Sequence, residues 1–143
     1  MLALSVRRLA MESDGAAALE FAILAPVFML FAAGLLAYGI YFGAAHSVEQ
    51  LAADAARSSI AGLSDSERAT LVGQYLTNNA SGYLLIDPQA LQYTVGPQPS
   101  DPNEYRVTVS YNAANLPIWN LYVPLPLPSQ TISYASVIRL GGT

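Results

Sequence analysis

Residues 21–45 read FAILAPVFMLFAAGLLAYGIYFGAA, and none of them carries a charge. As an α-helix rising about 1.5 Å per residue this run is roughly 37 Å long, enough to cross a bilayer core of about 30 Å. It reads as a membrane-spanning helix. Tyr38, Tyr41 and Phe42 lie near its far end, where aromatic rings suit a membrane–water interface. Arg7 and Arg8 precede the run, and no arginine follows until Arg57, with Glu49 and Asp54 coming first. The positive-inside bias therefore puts the N-terminus in the cytoplasm and the C-terminal part outside. A cleaved secretory signal, with FGAA at 42–45 as a weak processing site, fits less well. The run is too long for it, and Glu12 and Asp14 lie between the arginines and the apolar core. The residues after the arginine pair also fit twin-arginine export poorly.

Composition narrows the function further. A chain of 143 residues makes one domain, or a helical anchor plus one small domain. All six basic residues are arginine and the net charge is −4. Nucleic acid is therefore not an expected partner, because phosphate binding needs clustered positive charge. The absence of cysteine excludes disulfides, thiolate zinc sites and cysteine nucleophiles. His46 is the only histidine and reads as an interfacial or solvated helix residue. No P-loop, GxSxG or HExxH occurs. Asp87, Asp101 and Glu104 lie in or beside turns, where acids act as turn formers. No enzymatic activity, cofactor or metal is expected.

Upstream of the run, residues 15–28 read GAAALEFAILAPVF. Glu20 sits where the apolar part begins, and two readings of it are open. It could lie at the interface and snorkel to water at low cost. Deeper in the bilayer, an isolated charge would be expensive and would need a partner. Gly15, the small residues after it, Glu20-Phe21 and the apolar helix, joined to a short leader with Arg7 and Arg8, resemble a prepilin processing site. Over residues 7–60 the chain is similar to the TadE-like pseudopilins (minor pilins) of the tight-adherence (Tad) pilus, a type IVb or Flp system.

That resemblance implies a mechanism. A prepilin peptidase would cut between Gly15 and Ala16 on the cytoplasmic side, leaving a new ammonium on Ala16. Glu20 of one subunit would meet that amine on a neighbour, each charge offsetting the desolvation of the other. Such pairing sets register more than it adds stability. The implied partners are the peptidase, other pilin and pseudopilin subunits, the inner-membrane assembly machinery and membrane lipid. The implied location is the bacterial inner membrane, with the C-terminal domain outside or incorporated into an extracellular pilus. Against this stands a single-pass anchored binding domain that keeps its leader, and, less favoured, a membrane-tethered enzyme.

Within the span, Pro26 lacks an N–H and deprives the Ala22 carbonyl of its helix partner, so a kink is expected. Gly39 and Gly43 have the spacing that permits close helix–helix approach. Beyond Ala45, Val48, Leu51, Ala52, Ala55 and Ser59 recur at three- and four-residue steps, with Glu49, Gln50, Asp54 and Arg57 on the other side. This predicts an amphipathic continuation of the same helix, from about Ala16 to Ala61, ending near Gly62. Asp54 and Arg57 can pair along it. Ser64 and Glu67 have capping-box spacing, predicting a second helix at about 65–78.

Alternation at 91–95, at 105–111 and at 131–140 predicts three antiparallel strands, with residues 83–86 a candidate fourth. A polar, proline-rich loop is expected between the first two. Four prolines in NLPIWNLYVPLPLPS, residues 115–129, forbid a central strand there. That segment reads either as a loop tucked onto the core or as an exposed contact patch of Trp119, Leu121 and Tyr122. The expected fold is α+β, pilin-like: a leader at 1–15, a transmembrane helix at 16–45, its extracytoplasmic continuation at 46–62, and a small α+β domain at 63–143. One long helix should pack on a small antiparallel sheet.

Overall fold

The computed structural model describes residues 2–121 and 126–140, with side chains described except at 2–14 and 102. Helix α1 runs from Leu2 to Ser58 and ends in a 3-10 turn, Ser59–Ala61, capped at Gly62. Helix α2 covers Asp65–Asn79. Strands β1 (Leu91–Gln98), β2 (Asp101–Asn112) and β3 (Thr131–Arg139) form one antiparallel sheet in the order β1-β2-β3. The α+β architecture expected from the sequence is the one observed.

The second half of α1 folds by burying a stripe of small residues. Ala44, Val48, Leu51, Ala52, Ala55 and Ser59 are all essentially inaccessible. They recur at the three- and four-residue steps that put side chains on one helix face. Alanines along that face let the helix lie close over β2 and β3. From the sheet, Tyr105, Val107, Val109 and Tyr111 point into the same core, while Arg106, Thr108, Ser110 and Asn112 face away. Alternation in β2 thus does what a period of two requires. The register sets Val109 between Tyr93 of β1 and Tyr134 of β3, and Tyr111 between Leu91 and Ile132. Helix α2 closes the β1 side with Val72 and Leu76.

Helix α2 starts as its sequence predicts. The Ser64 hydroxyl accepts from the Glu67 N–H at 3.2 Å. The Glu67 carboxylate reaches one residue further back than a capping box requires, accepting from the Leu63 N–H at 2.8 Å. Gly62 is where α1 turns into α2. A Cβ there would lie 2.8 Å from the Arg68 backbone nitrogen, so the chain can pass only without a side chain.

Several expectations are corrected. Helix α1 starts at Leu2, not near Ala16, because nothing in the leader breaks a helix before or at Gly15. Pro26 lies inside this helix. Residues 83–86 form no strand. They make a turn in which Leu85 adopts a left-handed conformation, φ 63°. That conformation costs a branched residue about 1–2 kcal/mol, and Leu85 is held there with its Cδ1 against Gly43. Gly43 is therefore occupied by the chain's own domain. The proline-rich loop between β1 and β2 shrinks to a turn at Pro99–Ser100. Pro97 is tolerated because β1 is an edge strand, and the register shifts beside it. Pro102 lies beyond the last β2–β3 pair, Glu104 with Arg139, so it breaks no bond of that ladder. Gln98 closes this end by accepting from Arg106 and donating to Glu104.

The domain also covers one face of part of the apolar run. Burial on α1 begins at Gly34 and Ala37, well before Ala45. On one face the last part of the run is covered by the domain, while Leu35, Leu36 and Phe42 stay exposed. Apolarity serves both purposes, so the sequence does not mark the change. The uncovered apolar helix, Ala16 to Ala33, is about 27 Å long at about 1.5 Å per residue, still close to the bilayer core.

Candidate functional site

The uncovered half of α1 presents large hydrophobic side chains on all sides. Leu19, Phe21, Ile23, Leu24, Val27, Phe28, Met29 and Phe31 are exposed. In water this would be a strong drive to associate. It is the one helix long and apolar enough to cross a membrane among the described residues. Its composition and exposure are compatible with membrane anchoring.

Glu20 stands on this helix, exposed, next to Phe21. Among the residues whose side chains are described, the ion pairs are Arg57 with Asp54, Arg68 with Asp65 and, when the ring is protonated, His46 with Glu49, so Glu20 has no cationic partner among them. Gly15 lies in the helix with nothing near the position of a Cβ, and Ala16 is exposed. Gly15, Ala16, Glu20 and Phe21 therefore form one open stretch of helix, about two turns long. A carboxylate without a partner on an apolar rod can serve as an acceptor for a cation brought by another chain.

At the other end of the run, Tyr38 donates from its hydroxyl to the Pro126 carbonyl oxygen. Pro126 thus lies alongside the apolar helix. Trp119 is half-buried against the core, and its Nε1–H donates to the Ala113 carbonyl at 2.6 Å. Ile118 beside it is buried and Leu121 is exposed. Tyr122 lies outside the described residues. The sequence offered core and contact as rival readings of this segment. The described part contains residues of both kinds, because the short 3-10 turn Pro117–Asn120 puts neighbouring side chains on different sides.

Sequence reasoning anticipated the Asp54–Arg57 pair but missed what Asp54 does next. Its other oxygen accepts from the Tyr83 hydroxyl at 2.8 Å, and that hydroxyl is 2.8 Å from the Tyr75 hydroxyl. Burial first, then the bonds to Tyr75 and Asp54, hold the Tyr83 phenol well above its ordinary range. This network ties α1, α2 and the 80–90 connection together. No signal in the sequence links residues 29 apart. His46 is exposed beside Glu49. Among the described residues no group of three His, Asp or Glu is placed to hold a metal.

Comparison with known proteins bears on one part of the chain. The family model for TadE-like protein matches residues 15–57, from the glycine at the proposed processing site to the end of the amphipathic helix. It bears out the resemblance seen in the sequence over that segment. The sheet and α2 fall outside the match. Neither the search of curated proteins nor that of solved structures gave a match.

Proposed function

Taking residues 15–57 as a TadE-like segment of a Tad pilus-associated protein, we propose that the chain is a minor pilin or pseudopilin, a structural subunit without enzymatic activity. It is made as a precursor, cut between Gly15 and Ala16 by a prepilin peptidase, and held in the inner membrane before joining other subunits. Its C-terminal domain lies outside the cytoplasm. The observation that carries this reading is Glu20: an exposed carboxylate with no partner among the residues whose side chains are described, one turn past Ala16 at the head of the apolar run. Cleavage supplies the missing cation as the new Ala16 ammonium. Pairing between neighbours then compensates both charges at the edge of the apolar run, where desolvating either alone is costly.

A second reading, a plain single-pass anchor carrying a binding domain, draws on the unbroken helix through Gly15. An anchor that keeps its leader needs no rearrangement, whereas cleavage requires the turn at Gly15 to open. Glycine makes that opening easier by about 1 kcal/mol relative to alanine. Intact mass spectrometry of the protein from cells with and without the prepilin peptidase separates the two. Loss of the residues up to Gly15 only when the peptidase is present supports the pilin. Full-length chain from both cells supports the anchor and removes the pilin reading.

A further inference from the structure

We propose that the connection between β2 and β3 is a second membrane contact. Its described parts, Leu116–Leu121 and Pro126–Gln130, seat in the interfacial layer of the bilayer that α1 crosses. This rests on the membrane-spanning reading of α1 given above.

Depth is the first argument. From Glu20 to Tyr38 the helix rises about 27 Å at about 1.5 Å per residue, close to the thickness of a bilayer core. With Glu20 at one boundary, Tyr38 reaches the other. Tyr38 holds the Pro126 carbonyl, so the connection lies at the level of the lipid headgroups. The sheet has the matching orientation. Its Asn112–Thr131 end joins this connection, and Leu85 touches Gly43 on the same part of α1. Its other end is remote, where the Tyr105 hydroxyl donates to the Asp65 carbonyl at 3.2 Å and Arg139 shares a cavity with Ile60, Gly62 and Arg68.

Chemistry is the second argument. No charged residue occurs between Arg106 and Arg139. A domain end held against lipid must lack charges, because each would be desolvated there. Asp87, the exposed acid at the start of the adjoining 3-10 turn, has its carboxylate engaged by the Gln89 N–H at 3.0 Å. Exposed Phe42 and Leu121, half-buried Leu127 and the amphipathic Trp119 are residues that an interface favours. The third argument is the space beside the connection. Val27, Leu30, Phe31, Gly34, Leu35 and Tyr38, one face of α1, line an apolar groove of about 430 Å³ that ends at the tyrosine. Its lining is of the kind an acyl chain contacts. The one polar side-chain group in this lining, the Tyr38 hydroxyl, is already committed to Pro126.

Trp119 is the only tryptophan, so the full chain reports on itself. It is reconstituted into phosphatidylcholine vesicles carrying a spin label on the headgroup, at a shallow acyl carbon or at a deep one, and floated on a density gradient. The expected result is co-flotation, with Trp119 fluorescence quenched most by the headgroup and shallow labels and little by aqueous iodide. Co-flotation with strong iodide quenching and no effect of the lipid labels places the connection in water and overturns the inference while leaving the anchor intact. Shielding from iodide and lipid alike means that protein covers Trp119, and overturns it too. Failure to float removes the anchor itself, and this inference with it.

Discussion

The two halves of α1 are built from nearly the same apolar alphabet and end in opposite environments. From Ala16 to Ala33 the helix is uncovered; from Ala37 to Ser59 one face of it forms the core of the domain. Side-chain size and the distribution of charge make the difference. The first half carries Phe, Leu, Ile and Met all round and no charge after Glu20. Such a helix has no preferred side and suits a uniform apolar solvent. The second half confines Ala, Val and Leu51 to one face and puts Glu49, Asp54 and Arg57 on the other. Such a helix has a side to bury and a side to keep wet. The changeover falls between Gly34 and Tyr38, inside a stretch of uninterrupted apolarity.

The sharpest way to break this comparison is to alter the single charge of the first half. Glu20→Ala is expected to abolish incorporation into pili while leaving processing and domain stability unchanged, as read by immunoblot of sheared pili beside whole membranes. Normal incorporation of the alanine variant would defeat the pairing. Next come paired truncations. Leu51→Ala in the second half should destabilise the domain by about 2–5 kcal/mol, since it opens a cavity in a closed core. Leu24→Ala in the first half should leave the denaturant midpoint in detergent unmoved, because Leu24 touches no part of the domain core. A shift for Leu24→Ala would show that the halves are not independent.

Smaller effects test how the second half is held. Gly62→Ala should cost about 1–3 kcal/mol by denaturant titration, because the added methyl meets the Arg68 backbone. The Tyr83 network makes a prediction in pH. In the folded state the Tyr83 phenol keeps its proton above the ordinary value of 10.0, through burial first and then its bonds to Tyr75 and Asp54. The unfolded chain releases that proton near 10, so above it the folded state binds more protons and stability falls as pH rises. Below that value the contribution is fully present. Tyr83→Phe should make the decline in melting temperature above pH 10 shallower; Tyr105, also raised by burial and by Asp65, contributes in the same direction. An unchanged slope would show that the network does not hold the proton.

Local signals were legible in advance. Ser64 and Glu67 announced the start of α2, and the alternation of Tyr105, Val107, Val109 and Tyr111 announced the central strand. The Gly15-to-Glu20 spacing carried the family resemblance that the match over residues 15–57 supports. What was misread involved a neighbour. Residues 96–104 looked like a loop because they are polar and proline-rich, but the order β1-β2-β3 leaves β1 at an edge, where Pro97 is tolerated. Residues 83–86 looked like a strand until Leu85 turned to meet Gly43.

The sequence alone determined that one long helix would be apolar first and amphipathic later, and that three strands would follow it, because hydrophobic period and helix capping act over a few residues. Only the tertiary structure decided where the apolar helix stops being free, which side chains Asp54 serves, and that the 113–130 connection returns to Tyr38. Those outcomes depend on residues distant along the chain meeting in space, and apolarity looks the same in a sequence whether lipid or protein will cover it.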